Sequence, residues 1–250
     1  MNVAVKSGIV IAFLFAGLPM LFAQSATIAV EPFSKVIISP HIEVNLMEGD
    51  RETVVLENVE VPREKINIEV VKGTLRIYLD DAKMYTKSKK VKGEDYSGRK
   101  DIYDGTMVTA NITYKMLKKL SVRGEETIKC ESPIDQNELE LTIYGESEVY
   151  MDKLSLQHLS VAIYGESYLE VKSGTVNHQK YNAYGESEVN TLKMENSSTK
   201  ITAYGESEFR VNVSDKLKVT CYGEADIEYQ GNANVDKGVV IGEASIRKTG

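Results

Sequence analysis

A short motif returns along the second half of this chain at almost constant spacing, and it restricts the fold more than any other feature. Lined up on glycine, the segments read Arg123-Gly124-Glu125, Tyr144-Gly145-Glu146-Ser147, Tyr164-Gly165-Glu166-Ser167, Tyr184-Gly185-Glu186-Ser187, Tyr204-Gly205-Glu206-Ser207, Tyr222-Gly223-Glu224-Ala225 and Ile241-Gly242-Glu243-Ala244. The glycines lie 21, 20, 20, 20, 18 and 19 residues apart. A period of this size is the mark of a stacked repeat, in which one unit cannot bury its apolar face alone.

The pattern inside each repeat alternates, as in strands, and does not recur every three or four residues as in helices. Leu139, Leu141, Ile143, Gly145, Ser147, Val149 and Met151 share one parity, and Glu140, Thr142, Tyr144, Glu146, Glu148, Tyr150 and Asp152 share the other. The apolar parity recurs at Leu159 to Val171 and at Ile201 to Val213. Each repeat therefore reads as strand, bend, strand and a shorter third side. The expectation is an all-β solenoid over 119–250 with coils of about 20 residues and neighbouring coils ~4.8 Å apart in register. Gly145, Gly165, Gly185, Gly205 and Gly223, followed by Ser147, Ser167, Ser187 and Ser207, are expected to face inward at the bend, where little room is left.

Two cysteines occur, Cys130 and Cys221. They belong to the first and sixth coils, roughly 24 Å apart at ~4.8 Å per step, beyond the reach of a disulfide. Both fall on the inward parity and read as buried thiols.

Residues 24–118 lack the motif but still read as β, as an irregular part of the same domain. Expected strands are Thr27–Val30, Lys35–Ile38, Ile42–Met47, Thr53–Leu56, Ile66–Val71, Thr74–Leu79 and Thr106–Thr113, with hairpin turns at Glu48-Gly49-Asp50 and Lys72-Gly73. Such strands would cap the solenoid or form irregular first coils, since a terminal coil exposes a pairing edge. Residues 80–104 read as a polar loop rich in lysine and arginine, either solvated or a basic arm for an acidic partner or neighbouring subunit.

Lys6, the apolar run Gly8 to Phe22 and Ala23 before Gln24 have the order of a signal peptide over 1–23. The run is shorter than the ~20 residues of a spanning helix. An exported protein of the periplasm, cell surface or extracellular space is expected, with no transmembrane segment in the mature chain. The formal charge is -7. That balance argues against nucleic acid and anionic membrane as partners.

The opening Phe33-Ser-Lys-Val-Ile-Ile, then Ile42-Glu-Val-Asn-Leu and Glu48-Gly-Asp, followed by Ile66-Asn-Ile-Glu-Val-Val-Lys-Gly-Thr-Leu-Arg-Ile77, Leu120-Ser-Val-Arg-Gly124 and the Gly-Glu-Ser run resemble the head GIN domain of autotransporter-type adhesins. This is a domain of unknown function in exported proteins of Bacteroidetes-type bacteria. The resemblance covers nearly all of 27–250 and implies a right-handed parallel β-helix. Gly-Ser-Gly and Gly-Ala-Gly turns are commoner there than Gly-Glu-Ser. It implies no catalytic residues. No translocator barrel is expected after the last repeat.

Two outward columns are candidate binding features: Tyr144, Tyr164, Tyr184, Tyr204 and Tyr222, and beside them Glu146, Glu166, Glu186, Glu206, Glu224 and Glu243. Stacking accounts for tyrosines, and sugar rings or another protein could use them. Like charges ~5 Å apart repel by ~0.8 kcal/mol in water before screening. The glutamates therefore splay into solvent, meet a basic partner, or hold Ca²⁺ as the one cofactor in view. His158 and His178 lie one period apart, with no third metal ligand evident; His41 stands alone. Catalysis needs one asymmetric constellation, and a regular column supplies none. The functional expectation is an exported adhesin-like module for an extracellular protein or glycan. A structural cell-envelope protein is the alternative, ahead of a polysaccharide-active enzyme.

Overall fold

The computed structural model describes residues 27–92 and 97–250. The signal-peptide reading of 1–23 lies outside the described residues. The chain forms β1 (Thr27–Ala29), β2 (Lys35–Ile38), β3 (Ile42–Glu48), β4 (Thr53–Glu57), β5 (Ile66–Val71), β6 (Thr74–Leu79), β7 (Ser88–Lys92), β8 (Ser97–Asp101), β9 (Val108–Tyr114), β10 (Lys119–Gly124) and β11 (Thr127–Cys130). It continues through β12 (Ile134–Gly145), β13 (Glu148–Met151), β14 (Leu154–Gly165), β15 (Tyr168–Val171), β16 (Gly174–Tyr184), β17 (Ser187–Gln230) and β18 (Asn234–Lys248). The result is a β-solenoid of about six turns with about 20 residues per turn.

Each coil pairs in parallel with the next, identical motif positions opposite one another. Gly124 lies opposite Gly145, Gly145 opposite Gly165, and Tyr164 opposite Tyr184. The inward parity makes the core. Leu120, Leu141, Val161, Tyr181, Ile201 and Val219 form one buried column, and Ile128, Val149, Leu169, Val189, Phe209 and Ile227 form another. Column volume is conserved locally: Ala183 and Ala203 replace Ile163 where the rings of Tyr181 and Phe209 meet at 5.9 Å. Tyr181 satisfies its buried hydroxyl by donating to Gln179. Cys130 and Cys221 are free and buried, and burial pushes the Cys130 thiol up to about 12.

The corner glycines differ from the expectation. Ser147, Ser167, Ser187 and Ser207 are buried, but Gly145 and Gly205 are exposed and Gly165, Gly185 and Gly223 half-buried. They do not fill an inner corner; they turn it, with φ of 99°, 123° and 123° at Gly145, Gly165 and Gly185. A Cβ on Gly165 would stand 2.3 Å from the Gly145 carbonyl oxygen. That same carbonyl accepts the Glu166 N–H at 2.9 Å and the Ser167 hydroxyl at 2.9 Å. The motif is thus a stacking device: glycine leaves room for the coil below, and the next two residues bond to it.

The N-terminal part is wound out of order. β2 and β3 form a coil against β10 and β11, and β6 and β9 form the coil beyond it. Outside these lie antiparallel strands, β5 on β6 and β4 with β1 on β9. The end is therefore both irregular coils and a cap. Lys72 and Gly73, with φ 50° and 69°, make the two-residue hairpin turn between β5 and β6. Glu48-Gly49-Asp50 does not make a hairpin, because β9 lies between β3 and β4 and its Tyr114 carbonyl accepts the Gly49 N–H. Turn composition marks a reversal and cannot say which strand comes alongside.

The expected polar loop over 80–104 is corrected as well. β7 and β8 pair antiparallel within it as a separate two-stranded sheet. With Lys89, Lys90, Arg99 and Lys100 all exposed, neither face is apolar, so no alternation betrays it.

In urea titrations, Gly165→Ala should cost about 3 kcal/mol or more, from a left-handed φ and a clash with backbone. Ser167→Ala, which loses one hydrogen bond, should cost about 1 kcal/mol. Equal costs would mean that the corner glycine is not held by the coil below.

Candidate functional site

The tyrosine column is a continuous stack. Ring centroids from Tyr144 to Tyr222 are 5.0, 4.8, 4.9 and 4.8 Å apart, with planes within 10°. The spacing is that of the strands themselves, so in-register pairing dictates it. Each ring covers its neighbours, which leaves Tyr144, Tyr164, Tyr184 and Tyr204 only 39–40% exposed. The Arg123 guanidinium, 5.7 Å from the Tyr144 ring, closes the first end of the stack, and Ile241 continues the column beyond Tyr222.

The glutamates lie on the other side of the glycine corner. The bend there is concave, and it opens a furrow of about 800 Å³ along six coils. Glu146, Glu166, Glu186, Glu206, Glu224 and Glu243 form one wall. The opposite wall comes from residues three places after each glycine, namely Glu148, Tyr168, Glu188, Glu208, Asp226 and Ser245, with Arg247 at its far end. Ser167, Ser187 and Ser207 lie between. The column tyrosines are not among the lining residues, so the two columns do not share one flat face as the alternation implies.

The two walls differ in charge compensation. Arg210 lies 2.7 Å from Glu188, 3.4 Å from Glu208 and 3.7 Å from Glu228. Arg247 lies 2.7 Å from Asp226 and 3.3 Å from Glu228. The six motif glutamates make no ion pair among the described residues. Sequence reasoning singled out the motif wall and missed the second wall and its arginines. The signal was present, since Glu148, Glu188, Glu208 and Asp226 recur at the same period.

Neither furrow nor histidines gather metal ligands. Among the described residues no three His, Cys, Asp or Glu side chains converge to hold an ion. His158 and His178 stack at 5.2 Å, and His178 Nδ1 lies 2.7 Å from the Ser198 hydroxyl.

His41 has a role that sequence alone did not reveal. It sits at the corner of the β2–β3 coil with φ 71°. Nδ1 lies 2.7 Å from the Gly105 carbonyl, to which it donates, and Nε2 lies 2.6 Å from the Thr86 hydroxyl. Both ends of the β7–β8 insertion are thereby tied to the solenoid. Glu126, buried where later coils carry serine, lies 3.9 Å from Nδ1 and accepts the Glu125 N–H. Burial raises the Glu126 carboxyl above the usual range.

A family described as "Putative auto-transporter adhesin, head GIN domain" matches residues 32–233. The chain belongs to the head GIN domain family. Solved structures share the fold at low identity. A putative adhesin from Bacteroides fragilis is 17% identical with TM-score 0.74, covering 90% of this chain and 95% of that one. One from Parabacteroides merdae is 18% identical with TM-score 0.60, over 90% and 95%. A putative lipid binding protein from Parabacteroides distasonis is 19% identical with TM-score 0.63, over 90% and 96%. No curated protein matches the head GIN chain in sequence. Among its described residues no helix is long and apolar enough to cross a membrane.

Two measurements follow from this head GIN site. A raised folded-state value means that the native state holds the Glu126 proton more tightly than the unfolded chain. Its contribution to stability is thus fully present below the unfolded value, ~4.3, and is lost as pH rises through the folded one. Glu126→Gln should therefore melt higher than wild type at neutral pH, with the gap closing on acidification. An unchanged gap across that range would contradict the assignment. Calorimetric titration with Ca²⁺ should give no saturable heat, because the furrow spreads its carboxylates at rung spacing where Ca²⁺ takes about 6–8 oxygens at one point.

Proposed function

We propose that the protein is an exported binding module of adhesin type, placed in the periplasm or at the cell surface, which holds an extracellular protein or glycan and carries out no chemistry. The observation that carries this reading is the regularity of the two surfaces. The tyrosine stack and the acidic furrow repeat the same side chains at one spacing over five or six coils. Such an array suits an extended ligand gripped at many equal points. A reacting centre needs groups of different kinds and pKa converging on one atom. The lining of Glu, Ser and Asp is also unsuited to an acyl chain, whatever the lipid-binding neighbour holds.

The exposed edges of Tyr144 to Tyr204 supply the aromatic contact, and the furrow supplies acceptors for hydroxyl or ammonium donors. A glycan array and a pull-down from the producing cell's envelope would identify ligands. Tyr164→Ala with Tyr184→Ala, and separately Glu166→Gln with Glu186→Gln, should leave folding intact. At least one pair should weaken binding about tenfold or more, equivalent to ~1.4 kcal/mol. Full binding by both double variants would exclude these surfaces.

A further inference from the structure

The β7–β8 arm grows out of the same corner line as the furrow. By register, Leu79 at the end of β6 aligns with Pro40, Gly124 and Gly145, and Val108 at the start of β9 aligns with Ile42. Where later coils turn with Gly-Glu, this coil inserts residues 80–107.

The arm is a two-stranded sheet that pairs with no other strand among the described residues. An isolated hairpin is marginal in water. This one is worse placed than most, because Lys89 lies opposite Lys100 and Lys90 opposite Arg99. Like charges directly opposite across a strand pair are destabilising. All four cations are exposed, and none is ion-paired among the described residues. Residues 87–101 hold six basic and three acidic side chains.

The furrow has the opposite defect: six like-charged carboxylates on one wall make no ion pair among the described residues, and the lining cation Arg247 is already taken by Asp226 and Glu228. It is long enough to take the arm. Five coil steps from Glu146 to Glu243 span roughly 24 Å at ~4.8 Å each, and a five-residue strand spans ~17 Å. The arm does not line its own furrow.

We propose that the β7–β8 arm of one copy docks in the acidic furrow of a second copy, so that the cations of each arm meet motif glutamates such as Glu166, Glu186 and Glu206 and cancel the like-charge repulsion on both surfaces. This rests on reading the furrow as a docking surface and names one partner for it. Exchange of arms between two chains closes a dimer with both contacts made twice.

Sedimentation of the purified protein tests it. Wild type should self-associate, and the association constant should fall at least ~tenfold from about 0.1 M to about 1 M salt, as the Debye length drops from ~10 to ~3 Å. The arm reversal Lys89→Glu, Lys90→Glu, Arg99→Glu and Lys100→Glu should be monomeric. So should the furrow reversal Glu166→Lys, Glu186→Lys and Glu206→Lys. Mixed, the two should form a one-to-one complex, since each arm then meets a furrow of opposite sign. Circular dichroism checks that both variants fold; if either does not, Lys89→Gln with Lys100→Gln should weaken association of the otherwise intact chain.

A wild type that stays monomeric at every concentration overturns the proposal. So does association that neither set of substitutions alters, or a mixture of folded variants that remains monomeric. Binding of the monomer to anionic vesicles through the arm would overturn it in favour of a membrane. None of these outcomes bears on ligand binding by the tyrosine variants, so the two readings can fail separately.

Discussion

Everything in this molecule depends on one carbonyl group per coil. The corner glycine turns its C=O toward the next coil, where the serine hydroxyl reaches it at each Gly-Glu-Ser corner and, at Gly124 and Gly145, the glutamate N–H does so too. A carbonyl pressed against the next coil without a donor would cost about as much as a lost hydrogen bond. The contact also sets the closeness of the coils. No side chain larger than hydrogen fits at the corner, because the space where it would sit is the neighbour's backbone. Ala225 and Ala244 give up the hydroxyl bond in the last coils while the glycines there are kept.

Surface chemistry follows from that register. Once equal positions stack at strand spacing, every outward residue becomes a column. Aromatic rings gain from this, since an offset stack adds ~0.5–1.5 kcal/mol per pair to their burial. Carboxylates lose, and the structure treats its two acidic columns differently. One is threaded by Arg210 and Arg247, whose forked donors reach acids on adjacent rungs. The other is left bare. A protein that neutralises one wall of a furrow and not its partner has kept a charged surface that packing does not require.

The N-terminal end resolves a problem that any solenoid has. A coil left open offers unpaired N–H and C=O groups to another sheet. Here the chain lays β1 at the outer edge and winds the second coil from the end with β2 and β3; β4 then covers β9 and β5 covers β6, both antiparallel, with β1 antiparallel to β4, and the regular repeats begin only at β10. At the last of these corners it also extrudes the basic arm, pinned at its root by His41 between Thr86 and Gly105.

Much of this was legible beforehand. The period of the Tyr-Gly-Glu-Ser motif with its alternating parity is enough to specify strands, coils, core columns and the tyrosine stack, because in-register stacking copies sequence neighbours into spatial ones. The same logic makes Cys130 and Cys221 buried and unpaired. Non-local choices were not legible. That β9 rather than β4 lies beside β3, that cation-rich residues 88–92 and 97–101 pair, and that His41 reaches residues 45 and 64 places away are decided by contacts that leave no period in the chain. The Tyr-Gly-Glu-Ser repeat by itself thus determined which side chains face out and how often. Only the tertiary structure decided that the corner is concave, since the left-handed turn at glycine sets the angle between the strands, and this angle makes two separate surfaces of adjacent tyrosine and glutamate columns.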